Sequence, residues 1–232
     1  MILSGAAQML NAQVASPLPD WLPAGATAFL DFMAGTYYAG GAPRSIGSIL
    51  TGYEAGVISG SGMFFVFENG NHPAASGPLL SDFQSGLAAG MTIILDFDFV
   101  SPPFGFALFL GDDVSWDAST DMIVVAVDDN MYDSVSLGLG ASLSTTGRHT
   151  LAVTLNRDVG GGDYEYAWSL DGASALTQTV GYAAFSSLAS VLIGHDGGDF
   201  GENLDSVYLR SITVYPAKDP SELPALSDLP TS

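Results

Sequence analysis

The feature that most constrains this chain is a two-residue alternation of apolar and polar side chains that restarts about every ten residues. The cleanest case is Met91 to Val100: Ile93, Leu95, Phe97 and Phe99 fall on one face, and Thr92, Ile94, Asp96, Asp98 and Val100 on the other. Val207 to Tyr215 reads the same way. Val207, Leu209, Ser211, Thr213 and Tyr215 share one face, Tyr208, Arg210, Ile212 and Val214 the other, and Pro216 stops the strand because it has no N–H to donate. Further strands are expected at Ala26–Phe32, Gly62–Glu68, Phe104–Leu110, Asp121–Val127, Val135–Leu139, His149–Asn156, Tyr164–Leu170 and Leu176–Gly181, with Ile46–Leu50 a strand or turn. Turn residues punctuate them: Asn69-Gly70-Asn71, the Gly-rich loop Asp158–Asp163, and Asp171-Gly172. Residues 72–90, rich in Pro, Ser, Gly and Ala, read as a loop. Roughly a dozen short strands with almost no helical period imply an all-β fold of two packed antiparallel sheets.

Composition narrows the partners. Hydrophobic residues make up 47% of the 232, enough for a sizeable core, while charged residues are only 13%. The charge is one-sided, 25 acidic against 5 basic, for a net −20. Such a field repels phosphate backbones and anionic bilayers, so nucleic acid and membrane are excluded as partners. It is compatible with divalent cations and neutral glycans. A surface so poor in charge suggests areas covered by neighbouring subunits, hence a homo-oligomer. The chain has no cysteine, which removes disulfides and thiolate chemistry.

At the N-terminus, MILSGAAQMLNAQVAS has no basic region, and Gly5, Gln8, Asn11 and Gln13 break its apolar run. With Met1 at its start, it is expected to be an arm or a short helix (Ala6–Val14) rather than a removed leader. Pro17, Pro19 and Pro23 lead out of it, which gives an arm over residues 1–23 and one sandwich domain over 24–232.

The last quarter has a distinctive order. Val191-Leu192-Ile193 ends in Gly194, an acidic loop follows, then the long strand to Tyr215, then Asp219-Pro220-Ser221-Glu222-Leu223. In the last of these, Asp219 is placed to cap a helical turn, with Pro220 at its first position and Glu222 in its first turn. Ile193-Gly194, Leu209-Arg210-Ser211-Ile212-Thr213-Val214-Tyr215 and Ser221-Glu222-Leu223 together resemble the C-terminal signature of concanavalin A-like, laminin-G-like jelly-roll domains. Leu30-Asp31-Phe32 with Gly35-Thr36-Tyr37-Tyr38, and the His149 to Thr154 strand, resemble the same family, in the form found in bacteriophage virion proteins. The resemblance implies a jelly-roll β-sandwich on a virion surface, as head decoration, fibre or tail component. Such a protein would self-associate, attach to other virion proteins through its arm, and touch host glycans. A secreted lectin-like module or degenerate glucanase is the alternative it implies.

Candidate chemistry is sparse. Glycosidases of the concanavalin A-like fold carry catalytic carboxylates as Glu-x-Asp-x-Glu on a strand. Asp96 and Asp98 resemble the centre of that pattern, but Ile94 and Val100 stand in the outer places, so no catalytic residue is assigned and the protein is expected not to be an enzyme. His72, His149 and His195 lack metal-ligand spacing, and no G-x-S-x-G elbow occurs. Asp112, Asp113, Asp128, Asp129, Asp196 and Asp199 offer hard oxygen ligands, so calcium is the one metal the loops suit, though none is required. Adjacent Asp residues in turns are also common for purely local hydrogen bonding. Trp116, Tyr132, Tyr182 and Phe200 are the loop aromatics able to stack on a sugar ring, and Trp21 and Trp168 read as packing residues.

Overall fold

The computed structural model describes residues 18–53, 57–65, 73–100, 106–111, 122–126, 146–181, 191–193 and 207–228. Its first elements are β1 (Ala28–Asp31), β2 (Thr36–Ala39), β3 (Ala42–Arg44), β4 (Leu50–Thr51), β5 (Ile58–Ser59), β6 (Gly62–Phe65) and β7 (Ala74–Ala75). Helix α1 (Gly77–Ala89) leads into β8 (Met91–Phe99), β9 (Phe106–Gly111) and β10 (Met122–Ala126). Then come β11 (Gly147–Gly160), β12 (Asp163–Leu170), β13 (Leu176–Val180), β14 (Leu192–Ile193), β15 (Val207–Pro216) and the single turn α2 (Leu223–Leu226). The expected strand at Val135–Leu139 and the arm helix lie outside the described residues.

The strands form two antiparallel sheets, the jelly-roll sandwich that the alternation and the end motifs imply. The larger runs β13-β12-β11-β8-β15-β1-β2-β3, and the smaller β10-β9-β14-β7-β4. The first and last strands of the sandwich are neighbours: Leu30 lies opposite Ile212 and Ala28 opposite Val214. Long β15 has β8 along one side, and on its other side β6 pairs its first half and β1 its second.

Burial follows the two-residue period. On β8, Met91, Ile93, Leu95, Phe97 and Phe99 point into the core; so do Leu151, Val153 and Leu155 of β11 and Tyr166, Trp168 and Leu170 of β12. Residues of the smaller sheet and its approaches (Leu50, Ala75, Val191, Ile193) close over them, together with Leu79, Phe83 and Leu87 of α1.

Helix α1 falls within residues 72–90, where the sequence reading gives a loop. Its apolar residues stand at i, i+4 and i+8, one face of a helix, behind Ser76 as N-cap and Pro78 in the first turn. Buried Asn156 clamps this helix to the sheet, donating from Nδ2 to the Leu87 carbonyl at 3.0 Å while its Oδ1 accepts from the Tyr166 hydroxyl. The Asp158–Asp163 loop is also shorter than expected. Strands β11 and β12 pair as far as Gly160 opposite Asp163, which leaves Gly161-Gly162 as a two-residue turn.

Strict alternation along Val207–Tyr215 does not hold. Val207 and Leu209 face the core, but so do Ile212 and Val214, while Ser211 and Thr213 do not. The register to β8 explains it: Leu209 lies opposite Phe97 and Ser211 opposite Asp96, so Arg210 is an extra residue in a β-bulge that reverses the faces beyond it.

Part of the outer face of the larger sheet is covered by the C-terminal segment. The capped turn forms as the sequence predicts, with Asp219 accepting from the Ser221 N–H at 3.0 Å and Glu222 from the Asp219 N–H at 3.0 Å. It seats Leu223 and Leu226 on Ala152, Ala167 and Ile94. The Lys218 N–H donates to Thr92 Oγ1 at 2.8 Å, and Thr92 and Thr154 share a 2.7 Å hydrogen bond, which pins the segment there. Beyond Ile94, β8 carries its two aspartates out from under this cover.

Candidate functional site

Asp96 and Asp98 stand on the outer face of β8, as their place in the alternation predicts. Register decides what surrounds them. On β11, Thr150 is opposite Asp96 and Arg148 opposite Asp98; on β15, Ser211 is opposite Asp96 and Tyr208 opposite Asp98. Arg148 reaches diagonally to Asp96 and grips it with both prongs, Nε to Oδ1 at 2.8 Å and Nη2 to Oδ2 at 2.7 Å. This fork geometry is the strong form of an arginine–carboxylate pair. The hydrogen bond to Asp96 is the main reason the Arg148 guanidinium is held still more firmly protonated than usual.

Arg210 approaches from the other side. Its Nε is 3.6 Å from Asp96 Oδ2 and its Nη1 is 3.8 Å from Asp98 Oδ2, close enough for attraction and too far for hydrogen bonds. Among the described residues, Nε is buried without a hydrogen-bond partner, and so is Thr150 Oγ1 across from Asp96. The Arg210 side chain keeps 20% of its surface exposed and Asp98 keeps 38%, so the cluster opens to solvent on this side.

The bulge that frees Arg210 from the ladder depends on Gly62. Its φ is +119°, and a Cβ there would sit 2.5 Å from the Leu209 carbonyl oxygen and 3.1 Å from Arg210 Cα. Only glycine lets β6 pass this close to the bulge. Two residues on, Phe64 leans over Tyr208 with ring centroids 4.6 Å apart and planes at 36°. Both are partly exposed, so an aromatic pair borders the charged cluster on the Asp98 side.

The chain has only five basic residues, so their placement is informative. Arg157 ties the β11–β12 hairpin to the C-terminal turn through Glu165 and Asp219 at 2.5 and 2.7 Å. Lys218 pairs with Glu222 at 3.2 Å. Arg44 donates to the Ala39 and Gly40 carbonyls at the β2–β3 turn. The remaining two, Arg148 and Arg210, converge on Asp96. Among the described residues, four of the five basic side chains make hydrogen bonds and the Arg210 side chain makes none.

The other residues that the sequence singles out do not join this cluster. His149 is buried beneath it, beside Phe97 and Phe99, with Nδ1 2.7 Å from Asp171 Oδ2. Trp168 is in the core, and Trp21 packs on Phe29 and Tyr38 at 6.2 and 6.4 Å, on the far side of β15. The calcium candidates Asp112, Asp113, Asp128, Asp129, Asp196 and Asp199 lie outside the described residues. So do the aromatics Trp116, Tyr132, Tyr182 and Phe200. Among the described residues, no three His, Asp or Glu side chains stand close enough together to hold a metal ion.

No protein-family model matches this sequence, and no curated protein does either. Solved structures similar in shape include the CBM40 domain of the Ruminococcus gnavus IT-sialidase bound to α2,3-sialyllactose, at 14% identity and TM-score 0.44, covering 66% of this chain and 89% of that one. Domain 4 of AbnA, a GH43 extracellular arabinanase from Geobacillus stearothermophilus, in complex with arabinotriose, is similar at 14% identity and TM-score 0.45, with 88% and 98% covered. Trypanosoma rangeli sialidase is similar at 12% identity and TM-score 0.48, with 93% of this chain and 35% of that chain covered. These similarities are low in sequence and partial in shape, and the functional reading rests on the side chains of this chain.

Sequence reasoning found the two aspartates and missed the two arginines and the Phe64–Tyr208 pair beside them. The signal was present: two of five basic residues lie on strands whose outer positions are polar, and the apolar positions of β15 change from odd to even after Leu209. That change of phase marks the bulge.

Proposed function

We propose that this chain is a non-catalytic β-sandwich module whose outer sheet face binds a hydroxyl-rich ligand, a glycan, over Arg148, Asp96, Arg210, Asp98, Tyr208 and Phe64. The observation that carries the reading is Arg210, held 3.6 to 3.8 Å from two carboxylates with a buried Nε that has no hydrogen-bond partner among the described residues. Vicinal hydroxyls both donate and accept, and they suit a surface where guanidinium donors and carboxylate acceptors alternate within a few ångströms. The Phe64–Tyr208 pair offers an apolar flank for the C–H face of a sugar ring. Both oxygens of Asp96 are engaged by Arg148, which makes this carboxylate an anchor for the guanidinium and supports the non-catalytic reading.

The test is a glycan array with the intact chain, followed by calorimetry on whatever binds. Arg210→Ala and Tyr208→Ala should each weaken binding at least tenfold, with melting temperature nearly unchanged, while Lys218→Ala outside the patch should leave binding intact. Binding indifferent to Arg210→Ala would refute the site.

A second reading keeps the module on a bacteriophage particle, as head decoration, fibre or tail component, anchored by residues 1–23. It is favoured by the motifs of Leu30-Asp31-Phe32 and of Leu209 to Tyr215, whose strands lie hydrogen-bonded side by side. Deleting residues 1–23 should then abolish attachment to the particle and leave glycan binding unchanged.

A further inference from the structure

Among the described strands, the larger sheet ends in two unlike edges. One is β3, three residues that include Pro43 and Arg44, the kind of short, proline-bearing edge that discourages further pairing. The other is β13, Leu176-Thr177-Gln178-Thr179-Val180, which pairs with β12 on one side and with no described strand on the other. It carries no charge and no proline, and its first four residues are exposed, Leu176 at 55%. In a chain of net charge −20, an uncharged edge is where two copies repel each other least.

The strand is also chemically palindromic about Gln178. Turned end for end beside its own copy, it sets Gln178 opposite Gln178, Thr177 opposite Thr179 and Leu176 opposite Val180. Every position meets its own kind, amide with amide, hydroxyl with hydroxyl and apolar with apolar. The faces agree as well. Leu176, Gln178 and Val180 stand opposite Trp168, Tyr166 and Tyr164, the core-facing side of β12, so the Leu176–Val180 contacts would extend the inner layer across the junction.

We propose that β13 is a self-association edge, on which a second copy of this chain pairs antiparallel about a two-fold axis through Gln178, joining two larger sheets into one. A five-residue strand buries well under the roughly 1,200 Å² typical of a stable complex, so the pair forms at high protein concentration and separates on dilution. Salt strengthens it by screening the negative charge of the two copies.

Because the chain has no cysteine, single-cysteine variants of the full chain give a clean test of register. At the two-fold centre the Cα atoms are about 4.5 or 5.5 Å apart, depending on the hydrogen-bonding phase, and either distance admits a disulfide. Under mild oxidation Gln178→Cys should therefore form a covalent dimer. Leu176→Cys should not, since two residues from the centre its own copy lies about 14 Å away at about 3.4 Å per residue. Light scattering over a concentration series should show a mass rising from 24.0 kDa toward twice that value, more readily in high salt. Gln178→Glu, which sets like charges opposite each other at an exposed position, should raise the dissociation constant at least tenfold with the melting temperature unchanged. A mass of one chain up to millimolar protein would overturn the proposal. So would a dimer indifferent to Gln178→Glu, or one that crosslinks equally well through Leu176→Cys.

Discussion

Gly62 joins the fold to the site, and replacing it by alanine gives the sharpest test of how Arg210 is placed. Two costs are incurred together. A backbone held at φ +119° is open to glycine and strained for any L-residue, by about 1–3 kcal/mol. The new Cβ would also lie 2.5 Å from the Leu209 carbonyl oxygen, where ordinary contact begins at 3.4 Å. The obstruction is backbone, which cannot swing aside as a side chain can, so β6 and β15 must part. Their pairing of Met63, Phe64 and Phe65 with Leu209, Tyr208 and Val207 is what yields, at about 1 kcal/mol net for each hydrogen bond lost. The reference is Gly161→Ala in the β11–β12 turn, where φ is +73° and nothing lies within 4 Å of a Cβ, so only the left-handed backbone term of about 1 kcal/mol applies. Gly62→Ala is therefore expected near 3 kcal/mol, read as a melting temperature lowered by about 6–12 °C, against about 2–4 °C for Gly161→Ala. Thermal denaturation of both variants, followed by circular dichroism, makes the comparison. Ligand affinity should fall with Gly62→Ala alone, because Arg210 and the Phe64–Tyr208 pair shift with the strands. Equal melting temperatures for the two variants would show that β6 does not press on the bulge, and the account of Arg210 would fail with it.

Two further outcomes are expected. Phe83→Ala should cost about 3–5 kcal/mol, since Phe83 is 1% exposed and anchors α1 in the core, whereas Ser85→Ala on the exposed side of the helix should stay within about 0.5 kcal/mol; urea denaturation separates them. In the C-terminal turn, the Ser221 N–H holds Asp219 below the ordinary carboxylate range and the Asp219 N–H does the same for Glu222, so the turn's acid-linked stability is complete at neutral pH and is lost only as pH falls through those depressed values. The Ser221 and Asp219 amide resonances should follow acid titration with midpoints below those of an unstructured peptide, and midpoints at the ordinary values would contradict the capping box.

The central strands of the larger sheet were legible in the sequence because their inner face is buried, which places an apolar residue at every second position of β8, β11 and β12. The capped turn at Asp219 was legible for a local reason, since its donors and acceptors lie within four residues. Helix α1 was hidden by composition: Gly77, Pro78, Ser81, Ser85 and Gly86 dilute the apolar stripe of Leu79, Phe83 and Leu87, and tertiary packing supplies what propensity does not. The site was half legible. Asp96 and Asp98 follow from the alternation alone, but the arginines reach them only through register, set by strands 52 and well over 100 residues away in the chain. No local pattern records a long-range pairing; the change of phase after Leu209 is its one trace.

The outer-face cluster and the β13 edge are separable. Asp96 is on β8, and β11 and β12 stand between it and β13, so a substitution at Gln178 touches nothing that positions Arg148 or Arg210. In the two-fold pair the β8 strands of the two copies are seven strand spacings apart, about 34 Å at about 4.8 Å each. Cumulative twist of about 20° per strand turns the two outer faces well away from each other over that span. A pair built this way bridges two ligand-bearing surfaces rather than gripping one twice. Its signature is agglutination of glycan-coated beads by the wild-type chain, lost in Gln178→Glu even though that variant binds each bead as tightly as before. Beads that clump equally well with Gln178→Glu would place the multivalency elsewhere in the chain.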